Sequence, residues 1–216
     1  MRMSSEDRRR QLIEVAIDLF SRKGFAGTTT KEIAAAAGVT EAIIFRHFAT
    51  KQDFYKAILD HKCGDQSAGE WLAETQTFMD RDDDEGLFRF LISAIIRYHR
   101  EEPRFERLLM HAALEGHELA IMHHNQMHLP IGAKLKEYIA RRQRDGAIRD
   151  CDPSVVLFAI AGIPQFYAMQ KYMYQCGQMP LSDERVIGAF MLILMHGLKL
   201  HGLKTTELKK VKTRKK

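Results

Sequence analysis

The stretch that narrows the possible folds furthest runs from Thr28 to Lys51, TTTKEIAAAAGVTEAIIFRHFATK. It reads as two short helices hinged on one glycine. Thr29 and Glu32 have capping-box spacing, with the hydroxyl reaching forward to an amide and the carboxylate reaching back, so a helix starts there. That helix is rich in alanine and stops at Gly38, which can take the left-handed conformation in the turn Ala37-Gly38-Val39. Thr40 is placed to cap the second helix, which ends near His47. Ala34, Ala35 and Ala37 have so little bulk that the second helix can cross closely. Ile33, Val39, Ile44 and Phe48 have the spacing to point inward, against Ile13, Ile17 and Phe20 of a preceding helix. This leaves Glu41, Ala42, Ile43, Phe45, Arg46 and His47 outside, the layout of a recognition helix whose outer face fits a DNA major groove.

The rest of the chain has helical period and almost no strand alternation. Leu12, Ala16, Leu19 and Phe20 form one stripe, started by Ser4 and Asp7 and ended at Gly24. Thr50 caps a longer helix, from Lys51 to about Phe78. The acidic loop Asp82-Asp83-Asp84-Glu85 suits the positive start of a helix at 86–100. Pro103 opens a helix to about Gly116. A long helix follows over 117–145, kinked at Pro130. Asp152-Pro153 starts another, to about Gln175, and Ser182 caps the last, to about Leu203. The expectation is an all-α chain of about nine helices. It divides into a helix-turn-helix unit at 1–55, a larger helical unit at 56–203 and a basic tail at 204–216.

Charge is unevenly spread along the 216 residues, whose formal net charge is +5. Residues 1–62 hold eleven Lys/Arg against eight acids, residues 204–216 hold seven bases against Glu207, and the middle is net acidic. A basic head fits a polyanionic partner. Cys63, Cys151 and Cys176 lie far apart, and an odd count with no secretory signal reads as reduced thiols in a cytoplasm. The most apolar runs, 155–170 and 186–198, fall short of the ~20 residues of a bilayer span. No Gly-rich phosphate loop, GxSxG or HExxH is present, so nothing points to an enzyme or a cofactor.

From about Arg8 to Leu59 the chain resembles the DNA-binding domain of the tetracycline-repressor-type (TetR/AcrR) regulators. The shared signposts are Leu19-Phe20, Lys23-Gly24-Phe25, Thr28-Thr29-Thr30, Ile33-Ala34, Ala37-Gly38-Val39-Thr40, Phe45-Arg46-His47-Phe48 and Thr50-Lys51. The resemblance implies a ligand-responsive transcriptional regulator, usually a repressor, that binds double-stranded operator DNA. It implies that Lys31, Glu41, Ala42, Ile43 and Arg46 face base edges, while Thr30, Phe45, His47 and Lys51 hold phosphate. The chemistry agrees in part: Arg46 or Lys31 can donate to guanine and Glu41 can accept from cytosine. Thr40, at a helix start, suits a phosphate. Phe45 stands where the family usually has Tyr, which removes one phosphate hydrogen bond.

Two further expectations concern the larger unit. The run VIGAFMLILMHGL at 186–198 and the similar one at 155–170 are apolar all round, so a second copy of the chain is expected to cover one face. Phe158, Gly162, Gly188, Phe190 and Leu194 are the candidate interface, and the resemblance likewise implies a homodimer built on the last two long helices. A small, hydrophobic effector is expected among Trp71, Phe78, Phe105, Met110, Leu114, Met122, Met127, Phe166, Tyr167 and Met169, with Phe88 and Phe158 as further aromatics. The same residues also suit an ordinary core. His124 and His128, at i and i+4 in a group with His111, His117 and His123, could share a metal completed by Glu115 or Glu118. Surface histidines, or one polar anchor for a ligand, are the plainer reading, and no metal is assigned. A nucleoid-organising or cell-division DNA-binding protein of the same fold, without effector, is the alternative function.

Overall fold

The computed structural model describes residues 3–63, 66–174 and 181–198, without the side chains of 63, 66–68 and 127. The first helix, α1 (Ser5–Lys23), starts where the Ser4 hydroxyl accepts the Asp7 amide and ends at Gly24, whose φ of 71° closes the last turn. Then come α2 (Thr30–Ala36), α3 (Glu41–His47) and α4 (Lys51–Cys63). The capping box of α2 is formed in full by Thr29 and Glu32. Thr50 caps α4 in the same manner, accepting the Asp53 amide at 3.2 Å while the Asp53 carboxylate accepts the Thr50 amide at 2.7 Å. Thr40 stands at the start of α3 but makes no side-chain cap bond, contrary to expectation.

The body consists of α5 (Gln66–Asp80), α6 (Asp84–Glu101), α7 (Pro103–Leu114), α8 (Glu118–His123), α9 (Leu129–Arg144), α10 (Pro153–Ala168) and α11 (Asp183–Leu198). The described residues therefore hold eleven α-helices, not nine, and no strand. The helix expected over 51–78 is two, α4 and α5. The one expected over 117–145 is also two, α8 and α9, joined by a π-helical turn at His124–His128 that ends two residues before Pro130. A second π-helical turn, Met169–Met173, ends α10 early. Apolar periodicity does not report such breaks, because an extra residue in a turn shifts the stripe by only part of a turn.

Two cores hold the molecule together. The first joins α1–α4 to the inner sides of α7 and α8, with Phe20, Ile33, Ile44, Phe54 and Ile58 packed in one cluster with Phe105, Leu108, Ala112 and Leu119. It extends well past residue 55. The second lies among α5, α6, α9, α10 and α11, around Phe88, Ile92, Ile139, Ile160 and Met191. Two satisfied polar clusters fix helix ends. Arg142 and the Tyr138 hydroxyl both donate to Asp84, and Lys171, Tyr167, Tyr172 and Arg100 all donate to Asp183.

Candidate nucleic-acid interface

α3 has seven residues, too few to hold as a helix by itself. It is held by what it buries: Ile44 and Phe48 are inside, and Phe48 stacks on Phe54 with ring centroids 4.0 Å apart. Gly38, at φ 66°, supplies the left-handed residue that turns α2 into α3. With Ile44 inward, the rest of α3 faces out. Ala42, Arg46 and Phe45 (51% exposed) are at the surface, Ile43 and His47 are half-buried, and Lys31 is exposed on the neighbouring α2.

Three expected DNA contacts are engaged inside the protein. The Thr30 hydroxyl donates to the Glu41 carboxylate, tying the start of α2 to α3. Both groups thus have a partner before any base arrives. The Lys51 ammonium donates to the Phe25 carbonyl and lies 3.9 Å from the Phe25 ring centroid. Burial lowers its pKa. Lys51 is thus a tether of the loop after α1 rather than a free cation. His47 has a buried Nε2 with no hydrogen-bond partner among the described residues. Burial, then Arg46, Arg9 and Arg8, push its pKa down. Beside it, Arg9, Asp53, Lys56 and Asp60 edge an open cleft of about 330 Å³.

The unit is gripped from the body. The Glu115 carboxylate, just past α7, accepts the Phe25 amide at 3.1 Å and the Ala26 amide at 3.4 Å. Gly24 leaves room for it, since a Cβ there would collide with that carboxylate. His117 packs tilted against Phe25 and stacks on Tyr55, with centroids 4.5 and 4.6 Å away. No spacing signal marks Glu115 in the sequence, because its partners lie ninety residues away.

The expected pocket residues do not gather round one space. Phe105 is buried in the first core and Met122 packs against it. Phe88 and Tyr167 are buried in the second core, and Trp71 and Phe78 pack against it. Met110 and Met169 are half-buried. Leu114 is 84% exposed and Phe166 is also exposed, so neither lines an interior. The Met127 side chain lies outside the described residues. Of the expected interface, Phe158 (74% exposed) and Gly162 face outward from α10. Leu194 is buried, Phe190 packs into its own core near Tyr167, and Gly188 is half-exposed, so Leu194 and Phe190 do not stand on the exposed face. In place of Leu194 and Phe190, exposed Val155, Ile163 and Phe166 on α10 and Leu192 and Ile193 on α11 continue the apolar face. Residues 155, 158, 162 and 166 recur at helical spacing, a signal the sequence already carries. Among the described residues, no three His, Cys, Asp or Glu are grouped to hold a metal ion, and no helix is long and apolar enough to cross a membrane.

An outward-facing short helix, set by a glycine turn on an all-helical body, defines a helix-turn-helix DNA-binding protein. The family model described as "Bacterial regulatory proteins, tetR family" matches residues 12–58, and "Tetracyclin repressor-like, C-terminal domain" matches 85–184. The chain belongs to the TetR family of transcriptional regulators. It is 34% identical over 109 residues to the HTH-type transcriptional regulator AcrR of Shigella flexneri, covering 50% of this chain and 49% of that one. It is 26% identical over 164 residues to RutR of Escherichia coli (strain K12), covering 74% of each. Apart from the RutR match, the chain spans about half or less of the curated relatives it matches. Two solved structures share the fold. AibR in complex with isovaleryl coenzyme A and operator DNA has a TM-score of 0.66 at 23% identity, covering 87% of this chain and 98% of that one. NalD, the secondary repressor of an efflux pump in Pseudomonas aeruginosa, has a TM-score of 0.67 at 19% identity, covering 91% and 98%.

Proposed function

We propose that this regulator is a repressor that binds a palindromic operator as a homodimer and is released by a small effector. The observation that carries the reading is the orientation of α3: Ile44 and Phe48 are buried while Ala42, Phe45 and Arg46 are exposed. In this reading Arg46 and Lys31 meet base edges, and Ala42 and Ile43 supply apolar contact to thymine methyls. Thr40 and His47 meet the backbone. Thr30 and Glu41 act by holding α2 and α3 together, and Lys51 by holding Phe25. A seven-residue helix reads few bases, so two copies about a two-fold axis are needed for a specific site. The exposed face of Val155, Phe158, Ile163, Phe166, Leu192 and Ile193 supports pairing through α10 and α11.

The reading divides the chain into a DNA-binding unit near 1–55, an effector-binding and dimerisation unit near 56–203 and a basic tail, acting in the cytoplasm on the chromosome. The effector unit couples to the DNA unit through α4 and through the Glu115 contact with Phe25 and Ala26. Typical coupling of ~1–3 kcal/mol would change operator affinity ~5–150-fold. AibR, which shares the fold, is seen in complex with isovaleryl coenzyme A and operator DNA, which supports a small ligand and an operator as partners of one such chain. Selection of bound sequences from random DNA tests the proposal. The expected product is an inverted repeat whose half-sites hold the two α3 helices ~34–36 Å apart. Enrichment without two-fold symmetry would remove the homodimer reading.

A further inference from the structure

Several groups expected to hold DNA are engaged or silent. Phe45 has no hydrogen-bonding side chain, the Lys51 ammonium is tied to Phe25, and Thr30 and Glu41 hold each other. The permanent cations left on α2 and α3 are Lys31 and Arg46. Two are few for a surface whose affinity grows with each phosphate it neutralises. The start of α1 lies against the same end of the unit. The Arg9 guanidinium is 5.1 Å from the ring centroid of Phe48, the residue that ends α3. Arg8 donates to the Gln11 side chain at 2.6 Å, and Gln11 reaches the carbonyl of Ala37 in the turn between α2 and α3.

Arg46, Arg9 and Arg8 are the cations that act on the His47 ring, so three guanidiniums gather round the last turn of α3. Among the described residues none of the three has a carboxylate within ion-pair distance, whereas elsewhere in the unit Arg22 pairs with Asp18, Lys23 with Glu32 and Lys62 with Glu102. The acids close by answer this charge only in part. Glu6 acts on His47 more weakly than the three arginines, Asp7 accepts from Ser4, and Asp53 is engaged by the Thr50 amide and hydroxyl. Like charges gathered without a counter-charge repel one another, and a polyanion relieves that repulsion. The geometry brings such a polyanion to them. A helix with its side chains is about 10–12 Å across and the major groove is about 12 Å wide. An inserted α3 therefore fills the groove, and the elements beside it meet the phosphates on its rim. Arginine can rest on an aromatic face and still offer its fork of donors to a phosphate.

We infer that Arg8 and Arg9 of α1 are a second DNA contact, a clamp on the sugar–phosphate backbone that borders the groove at the His47 end of α3. The inference rests on the reading of α3 as the helix that enters the groove. It supplies the phosphate contacts that Phe45 and Lys51 do not make. Such a clamp fixes position and adds affinity but reads no base. Its signature is electrostatic, since each phosphate contact contributes about 0.9 to the slope of log affinity against log salt.

The test uses the full chain and a fluorescently labelled duplex of mixed sequence, about three helical turns long, with affinity measured by anisotropy across a range of salt. Arg8→Gln combined with Arg9→Gln should lower the salt slope by about two units per bound protomer. Arg8→Lys combined with Arg9→Lys keeps both charges and should keep the slope. Arg89→Gln, on the exposed side of α6, should leave it unchanged and serves as the control. An unchanged slope in the Gln pair would overturn the inference. So would an equal loss in the Gln and Lys pairs, which would reduce Arg9 to a packing group on Phe48. Helical content is checked by circular dichroism. If the Gln pair loses it, Arg8→Gln alone decides, because Arg8 bonds Gln11 on its own helix. About one unit of slope should then be lost, and no loss would overturn the inference. A native chain that binds no duplex would remove the reading of α3 together with this inference. Binding with an unchanged slope in the variants would remove this inference alone.

Discussion

The outer side of α3 and the outer side of α10–α11 are both left uncovered by the chain, but they are uncovered differently. On α3 the exposed groups are small, apolar and basic in turn, Ala42, Phe45 and Arg46, beside Lys31. On α10–α11 the exposed side chains named above are all apolar. Water tolerates the first surface and penalises the second. The first is therefore built for a polar, charged partner that comes and goes. The second fits the proposed pairing, in which a second copy of the same face covers it. On the proposed reading the two kinds of recognition lie apart: transient at the end held by caps and turns, permanent at the end held by apolar area.

The same aromatic residue type separates these roles experimentally. Phe105, buried in the core shared by α1 and α7, should cost ~3–5 kcal/mol of stability when changed to Ala. Chemical denaturation would read that loss, and a loss under ~1 kcal/mol would mean the two units do not share a core. Phe158, by contrast, is exposed in the monomer. Phe158→Glu should leave the helical content unchanged but weaken self-association by at least ~3 kcal/mol, over a hundredfold in Kd, by placing a charge against an apolar face. Sedimentation would show monomers. A variant that stays dimeric would place the permanent surface elsewhere.

Arg46→Ala belongs to the other surface and should act more weakly, costing ~1–3 kcal/mol in specific binding and relaxing preference at one base pair per half-site. Binding to random DNA should change much less. An equal loss on both would turn Arg46 into a phosphate contact and leave α3 without its main base reader.

How far the sequence disclosed this arrangement depends on the range of the forces involved. The DNA-facing end was legible because its determinants are local: the Thr29–Glu32 box, Gly38 at positive φ and the inward run Ile33, Ile44, Phe48 are each readable within a few residues. Thr40 is the local exception, a cap residue in position that makes no cap. The body was legible only as helices. Its π-helical breaks at 124–128 and 169–173, the inward turn of Leu194 and the outward turn of Phe166 follow from packing between distant segments. Lys51 shows the same limit at the site itself. Its place in the motif suggested a phosphate, but Phe25, twenty-six residues earlier, takes its ammonium.

The smallest expected effect concerns how the transient surface is held. Glu32 accepts hydrogen bonds from Lys23 at 2.8 Å and from the Thr29 amide at 2.8 Å. The Lys23 bond, then those from the Thr29 amide and hydroxyl, hold its pKa at about 2 against an ordinary 4.5. A carboxylate whose folded pKa is depressed contributes stability that is present above pH 4.5 and is lost as pH falls towards 2. The group is exposed, so water and salt screen it and the contribution is small. Glu32→Gln should therefore melt slightly lower than the native chain at pH 7, and the gap should close on acidification across that window. Salt near 1 M, where the screening length is about 3 Å, should shrink the gap at pH 7 as well. The proposed association through α10–α11 would rest on apolar contact and should not weaken under the same salt. A gap that ignores both pH and salt would mean that the start of α2, and Lys31 with it, is held by shape rather than by charge.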